Sequence, residues 1–125
     1  MLVDAVRLGG LDVQLQLDPL PDNGFELPVA VDSAAYRVVQ EALTNVTRHA
    51  GASHAWVTVR REAGGLEVVV VDDGVGASEP HEGGGLRGMR ERAGALGATM
   101  RAGANSGGGF RVDVRFPLDN FLLDG

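Results

Sequence analysis

The clearest alternation of apolar and polar residues in this chain covers residues 11–17, Leu-Asp-Val-Gln-Leu-Gln-Leu. Strict alternation predicts a strand that buries one face. Two valine-rich runs, residues 55–61 and 66–72, are separated by four residues that include two glycines, so they predict an antiparallel hairpin. Residues 99–104 and 110–116 predict a second hairpin across a glycine-rich turn.

The parity of the second valine-rich run bears on function. Leu66, Val68, Val70 and Asp72 share one face of the predicted strand, and valines also occupy the other face. A run that is apolar on both faces predicts a central strand. If the valines of the first set point into the core, Asp72 also points inward, at the end of the strand.

Two helices are predicted between these strands. The first covers residues 33–50, with Asp32 or Ser33 as its N-cap. The second covers residues 86–96, where apolar residues recur at helical spacing. A glycine follows each helix, as is typical of helix C-termini. The glycine-rich residues 74–85 predict a loop before the second helix.

The element order is strand, helix, two strands, loop, helix and two strands. This order predicts the α/β (α+β) fold class, as a two-layer sandwich in which a mixed β-sheet carries helices on one face. A chain of 125 residues suffices for one domain with a single core. We expect this domain at residues 11–118, after an N-terminal remnant at 1–10 and before a C-terminal tail at 119–125.

Composition narrows the classes of function. The absence of cysteine excludes disulfides and thiolate metal sites. A net charge of −6 argues against general binding to nucleic acid or to an anionic membrane, because both favour a basic surface. No apolar run approaches the length of a membrane span, and the N-terminus lacks the pattern of a secretion signal. An anionic ligand would therefore need local recognition groups.

The first predicted helix carries a row of polar side chains. Glu41, Asn45 and Arg48 fall within an arc of about 60°, opposite an apolar stripe. A carboxylate, an amide and a guanidinium in this arrangement could hold a divalent cation and the phosphates that it neutralises. On its own, the same pattern also fits a solvated helix face.

Two glycine motifs follow the central strand. In the run Asp72-Asp73-Gly74-Val75-Gly76, the first aspartate could accept a hydrogen bond from the amine of a base, and the glycines let backbone pass close to a flat ring. Asp-Gly also favours plain turns. Residues 83–88 read Gly-Gly-Gly-Leu-Arg-Gly and open a helix, where free amides could hold phosphate oxygens. A loop rather than a strand precedes this motif, which argues against a dinucleotide-binding fold.

These motifs in this order resemble the GHKL, or Bergerat, ATP-binding fold that histidine kinases, gyrase, Hsp90 and MutL share. Residues 36–46, Tyr-Arg-Val-Val-Gln-Glu-Ala-Leu-Thr-Asn-Val, and 85–92, Gly-Leu-Arg-Gly-Met-Arg-Glu-Arg, are similar to the sensor histidine kinases that partner NarL-type response regulators. The resemblance extends over about residues 11–118. It implies the catalytic ATP-binding domain of such a kinase, with a cytoplasmic location.

The resemblance assigns roles to polar residues of the first helix. Asn45 would be the Mg²⁺ ligand, and Glu41 would hold a water of the metal or act as a base. Arg48 would reach the terminal phosphate, and His49 would lie beside the phosphates. The implied cofactors are therefore ATP and Mg²⁺.

The resemblance also assigns the glycine motifs. Asp72 would accept a hydrogen bond from the adenine N6 amine, and residues 77–84 would form a lid over the nucleotide. The remaining nucleotide-binding residues are Gly74 and Gly76 at the base pocket, and Gly83, Gly85, Leu86 and Gly88 at a turn that meets the phosphates. Phe110 departs from the family, because many relatives have threonine there.

The implied reaction transfers the γ-phosphate to a histidine on a separate dimerisation domain, which this chain lacks. His49, His54 and His81 are not suited as acceptors. The implied partners are that domain and a NarL-type response regulator, with no nucleic acid and no direct membrane contact. Two alternatives stay open: a serine kinase of the anti-sigma-factor type, which has the same fold, and a module that binds nucleotide without transferring phosphate.

Overall fold

The computed structural model describes residues 2–8, 11–17, 28–46, 53–62, 64–74 and 84–118. These residues form six strands and two helices. In chain order they are β1 Leu2–Leu8, β2 Leu11–Leu17, α1 Val29–Asn45, β3 His54–Glu62, β4 Gly65–Asp72, α2 Gly84–Ala95, β5 Thr99–Ala104 and β6 Phe110–Pro117.

The strands form one mixed sheet in the order β1-β2-β3-β4-β6-β5. Strands β2 and β3 are parallel, with α1 in the connection between them, and every other pair is antiparallel. Helix α1 packs on β4 and β6 and against α2, and α2 packs on β5. The predicted two-layer α/β sandwich and the central position of β4 are therefore confirmed. No helix in the described ranges is both long and apolar enough to cross a membrane.

The core lies between the helices and one face of the sheet. Residues at facing positions, such as Val57 opposite Val70 and Val68 opposite Val114, are all buried. Period-two alternation brings these side chains to the same face, where they meet the apolar stripe of α1. Asp72 continues the buried row of β4 and is 2% exposed, so its predicted inward orientation is confirmed.

The N-terminal residues differ from the prediction of a remnant outside the domain. β1 pairs antiparallel with β2 over its whole length, from Leu2 opposite Leu17 to Leu8 opposite Leu11. The sequence signal was the Gly9-Gly10 pair between two apolar runs, which is typical of a two-residue hairpin connection. It was missed because residues 2–8 do not alternate cleanly.

Helix α1 begins earlier than predicted. It starts at Val29 rather than near residue 33, and Pro28 is the N-cap, with no side-chain cap hydrogen bond. The backbone N–H of Asp32 donates to the carbonyl of Pro28 at 2.9 Å, so Asp32 lies in the first turn. Proline has no N–H to leave unpaired at a helix start, and an acidic residue in the first turn complements the helix dipole.

An ionic network lies on the outer face of the sheet, the face opposite α1 and α2. Glu67 on β4 is 4% exposed, and its carboxylate accepts hydrogen bonds from Arg60 at 2.8 Å and Arg115 at 3.2 Å. Burial alone would raise the pKa of Glu67, but the two guanidinium groups lower it below the ordinary value. Burial and the charge of Glu67 raise the pKa of the neighbouring Asp113.

We expect Glu67→Gln to lower the free energy of unfolding at pH 7 by about 1–3 kcal/mol, because it removes the charge that both arginines bind. A carboxylate whose pKa is lower in the folded state stabilises the fold above its unfolded pKa of about 4.3. That contribution is lost as the pH falls through the lowered folded-state value. Denaturation at pH 7 and pH 3 should therefore show a smaller acid-induced loss of stability in Glu67→Gln than in the wild type. Glu91→Gln, an exposed glutamate on α2, is the control. Equal acid-induced losses in wild type and Glu67→Gln would contradict the expectation.

Candidate functional site

Asp72 is the buried polar group at the end of the central strand. Its Oδ1 accepts a hydrogen bond from the backbone N–H of Gly74 at 2.8 Å, and the backbone N–H of Phe110 also donates to the carboxylate. Burial raises the pKa of Asp72 and the charge of Asp73 raises it further, while the two backbone hydrogen bonds act in the opposite direction. A carboxylate fixed in this way offers a directed acceptor to a ligand that donates, such as the amine of adenine.

The β5–β6 turn packs directly against this carboxylate. Gly109 has a φ of +85°, and a Cβ at this position would overlap the carbonyl oxygen of Asp72 and lie 3.3 Å from its Oδ1. Two backbone hydrogen bonds hold the turn, from Asn105 N–H to the Gly109 carbonyl and from Gly108 N–H to the Asn105 carbonyl, each 3.0 Å, and the Asn105 side-chain amide donates to the Gly108 carbonyl at 3.3 Å. Only glycine allows both this φ and this approach. We did not predict Gly109 as a site residue, and the only signal was its position in a run of three glycines.

The polar side of α1 carries Glu41 and Asn45, one helical turn apart and both half-buried. Neither side chain forms a hydrogen bond or ion pair with another residue of the described ranges. A carboxylate and an amide with oxygens available in this way fit a hard divalent cation such as Mg²⁺. Arg48 and His49 lie outside the described residues.

The chain leads from this end of α1 to the start of β3, which pairs with the end of β4. Six residues separate Val46 from Ser53, and the carbonyl of His54 accepts a hydrogen bond from the N–H of Asp73 at 3.1 Å. Because α1 also packs on β4, the C-terminal end of the helix and Asp72 lie at the same end of the domain. Glu41 and Asn45 lie in the C-terminal half of α1, toward the end of the domain that carries Asp72.

The start of α2 differs in detail from the prediction. The helix begins at Gly84, so Gly85 and Gly88 lie within its first two turns rather than in a turn before it. Leu86 is 7% exposed and belongs to the hydrophobic core. The first N–H groups of a helix have no partner within it and can bind phosphate oxygens, so the predicted chemistry is compatible with this geometry. Gly76 and Gly83 lie outside the described residues.

A two-layer sandwich whose central strand ends at a buried aspartate, with Gly74 two residues later and Gly109 packed against it, is typical of a nucleotide-binding domain of the ATPase class. Residues 30–120 match the family of histidine kinase-, DNA gyrase B- and HSP90-like ATPases, and the chain belongs to this family.

Two relatives from Bacillus subtilis are similar over most of the chain. The sensor histidine kinase YxjM is 37% identical over 109 residues, which are 87% of this chain and 26% of the relative. The sensor histidine kinase LnrJ is 35% identical over 94 residues, which are 75% of this chain and 24% of the relative. The chain spans about a quarter of the length of these curated relatives.

A solved structure agrees with both the fold and the family. The histidine kinase domain of a blue-light activated histidine kinase from Erythrobacter litoralis superposes with a TM-score of 0.73 at 27% identity, covering 90% of this chain and 54% of that one. The chain is therefore an ATP-binding catalytic domain of the kind found in sensor histidine kinases.

Proposed function

We propose that this domain binds Mg·ATP and presents the γ-phosphate to a histidine on a separate dimerisation domain of a longer protein. The observation that carries the proposal is the buried Asp72, which closes the central strand and is fixed by the backbone N–H groups of Gly74 and Phe110. The similarity to sensor histidine kinases supports the same reaction.

Recognition of the base would begin at Asp72, which accepts from the adenine N6 amine. A carboxylate cannot donate to the oxygen that replaces this amine in hypoxanthine, so the site would favour adenine. Gly74 and Gly76 would leave room for the flat ring. Leu86 would contribute to the pocket from the core side, where it already packs.

Recognition of the phosphates would come from both helices. Asn45 and Glu41 would hold Mg²⁺, which when bound neutralises charge on the phosphates. Arg48 and His49 would approach the terminal phosphates from the end of α1. Gly83, Gly85 and Gly88 would let the phosphates approach the backbone at the start of α2. The work of the protein is then positioning and charge neutralisation.

The longer protein would supply the acceptor histidine, and a response regulator, which we propose to be of the NarL type, would receive the phosphate. The relatives are named sensor histidine kinases, so they do not favour the alternative of a serine kinase of the anti-sigma-factor type. A module that binds nucleotide without transferring phosphate would have the same base site, and only a transfer assay separates it from a kinase.

The direct test is calorimetric titration with ATP, with and without Mg²⁺, followed by incubation with labelled ATP and a cognate histidine-bearing helical domain. We expect magnesium-dependent ATP binding and transfer of the label to that histidine. Binding without transfer would favour the non-catalytic module. Absence of ATP binding would refute the proposed function.

We expect Asn45→Ala to reduce phosphotransfer by about tenfold or more and to weaken ATP affinity by a smaller factor. The reason is that a metal ligand acts on the geometry of the reacting phosphate, whereas the base contact at Asp72 remains. Gln40→Ala is a matched control, because it removes an exposed amide from another side of the same helix. Equal losses of affinity and transfer in Asn45→Ala would count against a metal-positioning role.

A further inference from the structure

The side chain of Asp73 joins the ends of β3 and β4 on the outer face of the sheet. Its Oδ1 accepts hydrogen bonds from the backbone N–H groups of Ser53 and His54, both at 2.9 Å. Its Oδ2 lies 2.9 Å from Nδ1 of the His54 ring, and its own N–H donates to the His54 carbonyl at 3.1 Å. Asp73 is thus bound to one short segment through its backbone and both carboxylate oxygens.

The His54 ring extends this connection to a third strand. Its Nε2 lies 3.8 Å from Oδ2 of Asp12 on β2, and the Asp12 N–H donates to the Ser53 carbonyl at 3.0 Å. The ring also stacks on Trp56, which is 40% exposed on the same face, with ring centroids 6.0 Å apart. The His54 ring therefore has neighbours on β2 and β3 and in the residue that directly follows β4.

We propose that Asp73 and His54 are a positioning pair that fixes the direction of the Asp72 carboxylate toward the base. Regular pairing of β3 with β4 ends at Asp72, which lies opposite Ala55. Beyond it, Gly74 turns its N–H back onto the Asp72 carboxylate. The peptide groups on either side of Asp73 therefore set the direction of the Asp72 carboxylate. Asp73 itself is anchored by its hydrogen bonds to Ser53 and His54.

The Asp72 backbone is then constrained from two sides. Gly109 closes on its carbonyl from the β6 side, and the Asp73–His54 pair holds the chain from the β3 side. Binding groups held this tightly by their supporting contacts lose little order when a ligand binds, whereas a shift of about half an ångström misaligns them.

The hydrogen bonds to Asp73 also offset the repulsion between its carboxylate and that of Asp72. A carboxylate next to a buried carboxylate is unfavourable, and Asp73 does raise the pKa of Asp72. Hydrogen bonds from the His54 backbone and ring, and from the Ser53 N–H, lower the pKa of Asp73 itself. Asp73 therefore stays ionised beside the base site, held by contacts that a shorter or apolar side chain at this position would lack.

This inference rests on the proposed function, so the test separates the two. Dissociation constants for ATP and for inosine triphosphate, which has an oxygen in place of the adenine amine, would be measured for the wild type, Asp73→Ala, Asp73→Asn and His54→Ala. Glu62→Ala is the matched control, because it removes a carboxylate from the outer face at the far end of β3. Thermal unfolding of each variant shows whether it is folded at the assay temperature.

We expect Asp73→Ala to reduce the preference for ATP over inosine triphosphate about tenfold, by weakening ATP binding alone. Asp73→Asn keeps an acceptor for the Ser53 and His54 N–H groups and should stay within about threefold of the wild type. His54→Ala removes only the ring and should lower the preference by about threefold. A general loss of structure would weaken both nucleotides equally and leave their ratio unchanged.

An unchanged preference in folded Asp73→Ala or His54→Ala, in a protein that binds ATP, would overturn the positioning role while leaving the proposed function intact. A wild type that does not prefer ATP would overturn the proposed base site and the inference with it. Glu62→Ala should match the wild type, and a reduced preference there would also overturn the specific role of the pair.

Discussion

Asp72→Ala should weaken ATP binding roughly ten- to a hundredfold, because the substitution removes the charged acceptor that we assign to the adenine amine. A hydrogen bond to a charged group contributes about 1.5–3 kcal/mol, which converts to this range of dissociation constants. The carboxylate is buried and already fixed by the N–H groups of Gly74 and Phe110, so a neighbouring side chain cannot easily replace it. Calorimetric titration at constant Mg²⁺ measures the effect.

Asp113→Ala is the matched control for this experiment. Asp113 is also a partly buried aspartate with a raised pKa, but it lies on the outer face and binds Arg111 at 3.4 Å. Its removal should leave ATP affinity unchanged although it removes a similar charge. An affinity of Asp72→Ala within about twofold of the wild type would contradict the assignment of the base site.

The orientation of Asp72 could be predicted because a strand has a side-chain period of two. If Val68 and Val70 of β4 point into the core, Asp72, two positions after Val70, must point to the same face. The two hairpins and α2 followed from equally local patterns. In these elements, the residues that the local apolar pattern assigns to the core are the residues that the structure buries.

The missed features depend on contacts that a local pattern does not contain. Asp73 and His54 are nineteen residues apart, and their contact exists because β3 and β4 pair in one register. Gly109 contacts Asp72 because β6 lies beside β4, which a glycine-rich turn does not reveal by itself. The predicted start of α1 was wrong because Asp32 and Ser33 are common N-cap residues, whereas the helix begins at Val29 after Pro28.

The backbone and the side chain of Phe110 make different contacts. The family resemblance implies a threonine at this position, whose hydroxyl group would make polar contacts near the nucleotide. The backbone N–H of Phe110 donates to Asp72 whatever side chain the residue carries, and the aromatic ring packs partly against the core. The fixation of Asp72 therefore does not require the hydroxyl group.

Gly109→Ala is expected to abolish tight ATP binding and to lower the free energy of unfolding by about 2–5 kcal/mol. A left-handed φ costs an alanine about 1–2 kcal/mol, and forcing extra atoms into a packed site costs about 1–3 kcal/mol more. The new methyl group would overlap the Asp72 carbonyl, so either the β5–β6 turn or the end of β4 has to move. Both movements displace the Phe110 N–H from the carboxylate, which links the stability defect to the binding defect.

Gly108→Ala separates this contact from backbone strain. Gly108 has a φ of +99°, but a Cβ there would meet no atom within 4 Å. The control variant should therefore lose only the strain energy of about 1–2 kcal/mol and retain ATP affinity within about threefold. Denaturation and ATP titration of both variants, at a temperature where each is folded, give the comparison. If the two alanines weaken ATP equally, the close approach of Gly109 to Asp72 has no special part in binding, and the turn acts only through its own stability.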